Sequence, residues 1–209
     1  MKRFLFACLV PLGLLGNLRA GEIQPAPPPD ASDFAKGTHV FEGLVGFFAS
    51  VDETIPGPVG RPVLTTGLTT LRYGWMLNDL RSGIFSGNEE LLFEVFGGPI
   101  YHGPGTYLAG GTGLLRHNFI WSQRLVVVPY FQIGAGIVGS DASEDQSQFS
   151  IGTPVSFNLQ GSLGVQWRVS RSWSINTECN YRHISNAGLS SRNGGYDLLG
   201  GFIGLGRMF

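Results

Sequence analysis

Apolar and polar residues alternate with a period of two along most of this chain. The clearest stretch places Phe157, Leu159, Leu163, Val165, Trp167 and Val169 on one parity and Asn158, Gln160, Ser162, Gln166 and Arg168 on the other. Side chains alternate across a pleated backbone, so this pattern predicts a strand with one apolar and one polar face. Strand character recurs in eight segments, at about 38–50, 64–78, 89–100, 105–116, 122–138, 153–169, 172–185 and 196–209. Strands of about twelve residues outrun the five or six usual in soluble sandwiches and suffice to cross a bilayer at a tilt. A sheet in hydrocarbon leaves no edge unpaired, so the strands must close on themselves. The fold class predicted is all-β: an eight-stranded antiparallel transmembrane β-barrel, with a lumen filled by side chains.

The segments before the first strand read differently. Lys2-Arg3, the apolar run from Phe4 to Leu15, and Leu18-Arg19-Ala20 form the pattern of a secretory signal peptide over residues 1–20. Cys8 lies within it and lacks the small neighbours of a lipid-attachment cysteine. Residues 21–37 carry Pro25, Pro27, Pro28 and Pro29 and predict an extended leader with no core. The barrel is expected over 38–209. Past the signal, Cys179 is the single cysteine, so no intramolecular disulfide contributes to stability.

Composition narrows the class further. Charged residues make up only 14% of the chain against 12% aromatics and 32 glycines, which suits neither a disordered segment nor an ordinary soluble domain. A formal net charge of −1 points to no nucleic-acid partner. No apolar run of about twenty residues follows the signal, so spanning helices are not expected. Glu42, Glu94, Glu178, Arg72, Arg124, Arg168 and Arg182 are expected inside the barrel as a charge network. Trp75, Trp121, Trp167 and Trp173 are expected as interfacial girdles at both membrane faces. His39, His102 and His117 lack ligand spacing, so neither a metal nor another cofactor is expected. The acidic run Asp141-Ala142-Ser143-Glu144-Asp145 reads as a loop after the fifth strand, either simply solvated or holding divalent cations between lipid phosphates.

Candidate chemistry sits near the end of the chain. From Trp173 the odd positions Ile175, Thr177, Cys179 and Tyr181 form the mainly apolar face, and His183 and Ser185 continue that parity. With both termini on the periplasmic side, the seventh strand runs toward the cell exterior and ends at this pair. Asp197, at the start of the eighth strand, shares the outward parity of Leu199, Ile203 and Phe209. Residues two apart on a strand are separated by about 6.6 Å between Cα atoms, and adjacent strands by about 4.8 Å, so the three side chains can meet on the outer wall. Serine becomes a nucleophile when a histidine takes its proton, and a carboxylate holds that histidine in the required tautomer. Ser185 as nucleophile, His183 as base and Asp197 as acid therefore predict acyl transfer to water on a lipid-facing surface. Backbone N–H groups in the Asn186-Ala187-Gly188 turn, or the Asn186 amide, would stabilise the oxyanion.

At His183-Ile184-Ser185-Asn186-Ala187-Gly188, Asn193-Gly194 and the acidic residue at 197, the chain resembles the outer-membrane lipid A 3-O-deacylase family. The resemblance extends more loosely to the strand count, the signal segment and the terminal Phe209. It implies a metal-free esterase in the outer membrane of a Gram-negative-type bacterium, with its site at the outer leaflet. Lipid A, or lipopolysaccharide, would be the substrate, among surrounding outer-membrane lipids. The resemblance also implies Asn186 as oxyanion support and Asn193 as the asparagine that shapes the site loop. The family's acid is usually glutamate; Asp197 is one methylene shorter, so strand or loop must bring it closer to His183. Two other readings stay open: a barrel of the same fold with weakened or lost catalysis and a structural or lipid-binding role, and a barrel lipase acting on phospholipids. A homodimer is compatible with the sequence and not required by it.

Overall fold

The structure, a computed structural model, describes residues 28–51, 62–122, 124 and 126–209. The signal segment and residues 21–27 of the leader lie outside the described residues. Eight strands form one closed antiparallel barrel: β1 (His39–Ser50), β2 (Thr65–Met76), β3 (Gly87–His102), β4 (Tyr107–Phe119), β5 (Val127–Ser140), β6 (Val155–Arg168), β7 (Trp173–Ser185) and β8 (Tyr196–Met208). Each pairs with its sequence neighbours, and β1 closes on β8 from Val40 opposite Met208 to Ser50 opposite Leu198. The edge problem that hydrocarbon imposes is thereby solved without remainder.

Boundaries move where pairing, not hydrophobicity, decides them. Asn118 and Phe119 still pair with Asn88 and Gly87, so β4 and β3 both run longer than their apolar patterns suggest. β5 starts only at Val127, where pairing with Trp167 of β6 begins, and Arg124 bridges instead to Asp30. Topology gives the barrel two ends. The β1–β2, β3–β4, β5–β6 and β7–β8 connections share one end, and the β2–β3, β4–β5 and β6–β7 connections share the other with the C-terminus.

The wall carries exposed apolar side chains on its outer face, among them Val45, Phe47, Phe93, Val95, Ile133, Leu163, Ile203 and Leu205. All four tryptophans lie near the end that holds the C-terminus, not at both ends as expected: Trp75 faces His39, Trp167 faces Ile175, Trp173 faces Arg207, and Trp121 stacks on Phe119. Alternation specifies a side chain's face, not its height. At the opposite end Phe47 and Tyr101 stack, and Tyr107, Phe157 and Tyr181 stand exposed.

Inside, an ion-pair network fills the middle of the lumen. Arg72 donates to Glu94 at 2.8 Å and to Glu178 at 2.7 and 3.1 Å; Arg116 donates to Glu42 at 2.7 and 2.9 Å; Arg182 donates to Glu94 at 2.8 Å. Arg116 and Glu90 belong to this network, although neither stands out in the sequence. Arg124 does not: it is exposed on the β4–β5 connection, where its backbone bridges to Asp30. Tyr130 adds its hydroxyl to Glu178 at 2.9 Å, its ring lying over Gly164, where even a methyl would collide.

Apolar clusters close both ends of this polar interior. Leu44, Phe48, Leu64, Phe96, Leu198 and Phe202 are buried at one end, and Phe34, Val40, Met76, Val128 and Met208 at the other. Phe34 corrects the expectation of a coreless leader. Ala31–Phe34 form a 3-10 turn capped by Asp30, and Phe34 is fully buried, with its carbonyl accepting from Asn88 at 2.7 Å and the Arg168 guanidinium 5.2 Å from its ring centre. Asp33 ties the turn down through Arg168 at 3.2 Å and Arg171 at 2.7 Å. The lumen is therefore a packed core, not a channel.

Candidate active site

β7 and β8 pair in a register that sets His183 directly opposite Asp197. Both lie on the outward parity, and their rings and carboxylates meet there: His183 Nδ1 is 2.7 Å from Asp197 Oδ1. On the other side of the imidazole, Nε2 is 3.1 Å from Ser185 Oγ, two residues further along the same strand. An Nδ1–H donating to the carboxylate leaves Nε2 with a lone pair facing the serine hydroxyl, the tautomer a general base requires. The His183 side chain is 37% exposed and that of Asp197 19%, so the group is open to the outside yet not fully solvated.

Its surroundings are apolar. On β6, Phe157 stands beside Ser185 and Leu159 beside His183, and Leu199 follows Asp197 on the same face; all three are exposed. A fourth polar group was not singled out by the sequence reading: Tyr181 donates its hydroxyl to Asp197 Oδ1 at 2.5 Å. The signal was present in its parity, two residues before His183.

The β7–β8 connection turns sharply after Ser185. Ala187 has φ +52°, the left-handed region that a Cβ makes costly, and Gly188 follows at +82°. Asn186 is held within this turn by three hydrogen bonds. Strand parity turns it inward, where it is fully buried. Its N–H donates to Asn193 Oδ1 at 2.8 Å, its amide nitrogen to the Arg192 carbonyl at 2.9 Å, and its Oδ1 accepts from the Gly188 N–H at 3.1 Å. Asn186 and Asn193 thus brace the turn, and the Gly188 N–H is taken by the Asn186 side-chain oxygen. The Ala187 N–H makes no hydrogen bond among the described residues, and Ala187 is exposed beside the serine.

A second loop supports the first. Gly194 and Gly195 donate their N–H groups to the carbonyls of Phe149 and Ser150, at 2.9 and 2.8 Å. The Arg192 guanidinium donates to the carbonyls of Ser143 and Asp145, at 2.9 and 2.8 Å. Of the acidic run, Asp141 accepts from Thr106 Oγ1 at 2.5 Å and from the N–H groups of Thr106 and Tyr107 at 2.7 and 3.3 Å. Partial burial pushes its carboxyl up, and these hydrogen bonds outweigh that and hold it below the usual carboxylate range. The run begins as a clamp on the β3–β4 turn.

A closed eight-stranded barrel with an apolar outer wall and a filled lumen belongs to the class of outer-membrane β-barrels. The chain itself belongs to the lipid A 3-O-deacylase (PagL) family, whose model matches residues 83–205, a span that contains Ser185, His183 and Asp197. Among solved structures it is similar to the outer membrane enzyme PagL, at 13% identity over 78% of this chain and 97% of that one, with a TM-score of 0.57. It is also similar to the outer membrane protein OprG from Pseudomonas aeruginosa (15% identity, 85% and 98% covered, TM-score 0.51). A third likeness is to Neisserial surface protein A (14% identity, 82% and 96% covered, TM-score 0.50). At these identities the structural likenesses speak for the fold alone. Comparison with curated proteins gives no match.

Proposed function

We propose that this protein is an outer-membrane esterase that hydrolyses the 3-O-linked acyl chain of lipid A. The observation that carries the reading is the hydrogen-bonded series Ser185–His183–Asp197 on the outward wall, at 3.1 and 2.7 Å, among apolar side chains. Family membership supplies the substrate class.

In this mechanism Ser185 Oγ attacks the ester carbonyl carbon as His183 Nε2 takes its proton. Asp197 stabilises the imidazolium that results. The tetrahedral oxyanion sits at the turn, where the N–H of the exposed Ala187 and the second N–H of the Asn186 amide are the candidate donors. Collapse breaks the bond to the sugar oxygen, which leaves with the proton from His183, and the acyl group stays on Ser185. Water, deprotonated by His183, then attacks the acyl-serine; the fatty acid departs and the serine regains its proton. In the same reading residues 1–20 direct export, residues 21–37 link to the barrel, and the site end faces the cell exterior, where lipid A resides.

The test uses the purified full barrel in detergent, incubated with lipopolysaccharide or with phospholipid, and released fatty acids are identified by mass spectrometry. A 3-hydroxy fatty acid is expected from lipopolysaccharide, reduced by at least about 10³-fold in Ser185→Ala. Release from phospholipid alone would point to a phospholipase, and no release from either by a folded barrel would sink the enzyme reading.

A further inference from the structure

We propose that Tyr181 is a positioning residue for Asp197, supplying through its hydroxyl the second anchor that this aspartate needs to hold His183; the inference rests on the esterase reading above.

The register explains how the contact arises. Tyr181 pairs with Leu199, so Asp197 lies on its diagonal, two residues along β8. Diagonal neighbours on one sheet face are about 7–8 Å apart, within reach of an aromatic side chain and beyond that of a short one. The phenol spans this gap and donates to Asp197 Oδ1 at 2.5 Å, the same oxygen that His183 Nδ1 approaches at 2.7 Å. Two donors converging on one carboxylate oxygen fix its position from two directions.

The chemistry makes such an anchor useful. An aspartate has two side-chain torsions and swings freely if only the imidazole holds it. On a wall lined by Phe157, Leu159 and Leu199, ordered water is a poor substitute for a protein donor. A hydrogen bond to a carboxylate is also stronger than one between neutral groups. The Tyr181 hydroxyl bonds to Asp197, and its action passes through that carboxylate.

Removing the hydroxyl while keeping the ring isolates this role. Tyr181→Phe leaves an apolar side chain on an apolar outer wall, so the barrel is expected to fold, which its heat-dependent migration on gels reports. With lipopolysaccharide as substrate, kcat is expected to fall roughly 10- to 100-fold with KM unchanged, the loss of one hydrogen bond to a charged group. Tyr181→Leu should lose as much; retention by Phe with loss by Leu would assign the effect to the ring and overturn the proposal. A readout without substrate is the low-field proton resonance of His183 Nδ1, which should shift or broaden in Tyr181→Phe. An unchanged resonance together with an unchanged kcat overturns the inference. If instead the parent chain releases no fatty acid, or Ser185→Ala keeps full activity, the esterase reading fails, and the resonance still decides whether Tyr181 orders the pair.

Discussion

At the scale of single residues, the site depends on a glycine whose backbone conformation strains any side chain. Gly195 has φ +71°, and a Cβ there would come within 3.0 Å of the Ile184 carbonyl, 3.4 Å of His183 Cε1 and 3.5 Å of Ser185 Cβ. Gly195→Ala therefore adds left-handed strain of about 1–2 kcal/mol and crowds the Ile184 carbonyl, the backbone that links His183 to Ser185. Fatty-acid release should fall about tenfold or more, since small displacements of reacting groups cost that much, while the barrel still resists unfolding by detergent at room temperature. Equal activity in the variant would show that the strand end can yield. His183, Ser185 and Asp197 were legible in the sequence because period two fixes their face and a short connection fixes their height. Asn186 was not, since one further step along the strand turns it inward, toward an Arg192 carbonyl whose position depends on the folded loop. Tyr181 shared the visible parity, but its partner lies across a register that only pairing reveals.

Among elements, three connections at one end are linked in series. Asp141 clamps the β3–β4 turn, Arg192 grips the β5–β6 loop, and Gly194 and Gly195 tie that loop to the residues beside Ser185. Asp141 is held below the usual carboxylate range, so its contribution is fully present above that range and is lost as pH falls through its depressed value. Protection of the Thr106 and Tyr107 amides against hydrogen exchange should accordingly decline at acidic pH beyond the intrinsic change in exchange rate. Asp141→Asn should show the loosened state at neutral pH; protection equal to the parent's would contradict the clamp. Alternation alone places seven strands to within three residues, while the fifth begins five residues later than its pattern suggests. The loops could not be placed in this way, because the hydrogen bonds that join one loop to another run to partners 34 to 49 residues away in sequence.

For the whole molecule, stability rests on burying charge together. Arg116 is fully buried and donates to Glu42 at 2.7 and 2.9 Å, to Gln132 at 2.9 Å and to Glu90 at 3.3 Å. Arg116→Met leaves carboxylates in the lumen without their cation, a loss of about 3–5 kcal/mol. The midpoint of unfolding by guanidinium in detergent should drop accordingly; an unchanged midpoint would mean that the network reorganises at no cost. Arg116 was hard to single out because Gly110, Gly111 and Gly113 blur the alternation of its strand, and Glu90 because Glu89 beside it faces the other way. Arg124 lies outside the network because the strand begins only at Val127 and leaves this arginine on the exposed connection. The packed lumen also decides how a reactant meets Ser185. On the esterase reading proposed above, nothing travels to the serine through the barrel, so encounter is a two-dimensional search among neighbouring lipids, ordered by lateral diffusion. The quantity that governs turnover is then the mole fraction of substrate in the surrounding film, and diluting that film with inert lipid slows the reaction even when the bulk concentration is unchanged.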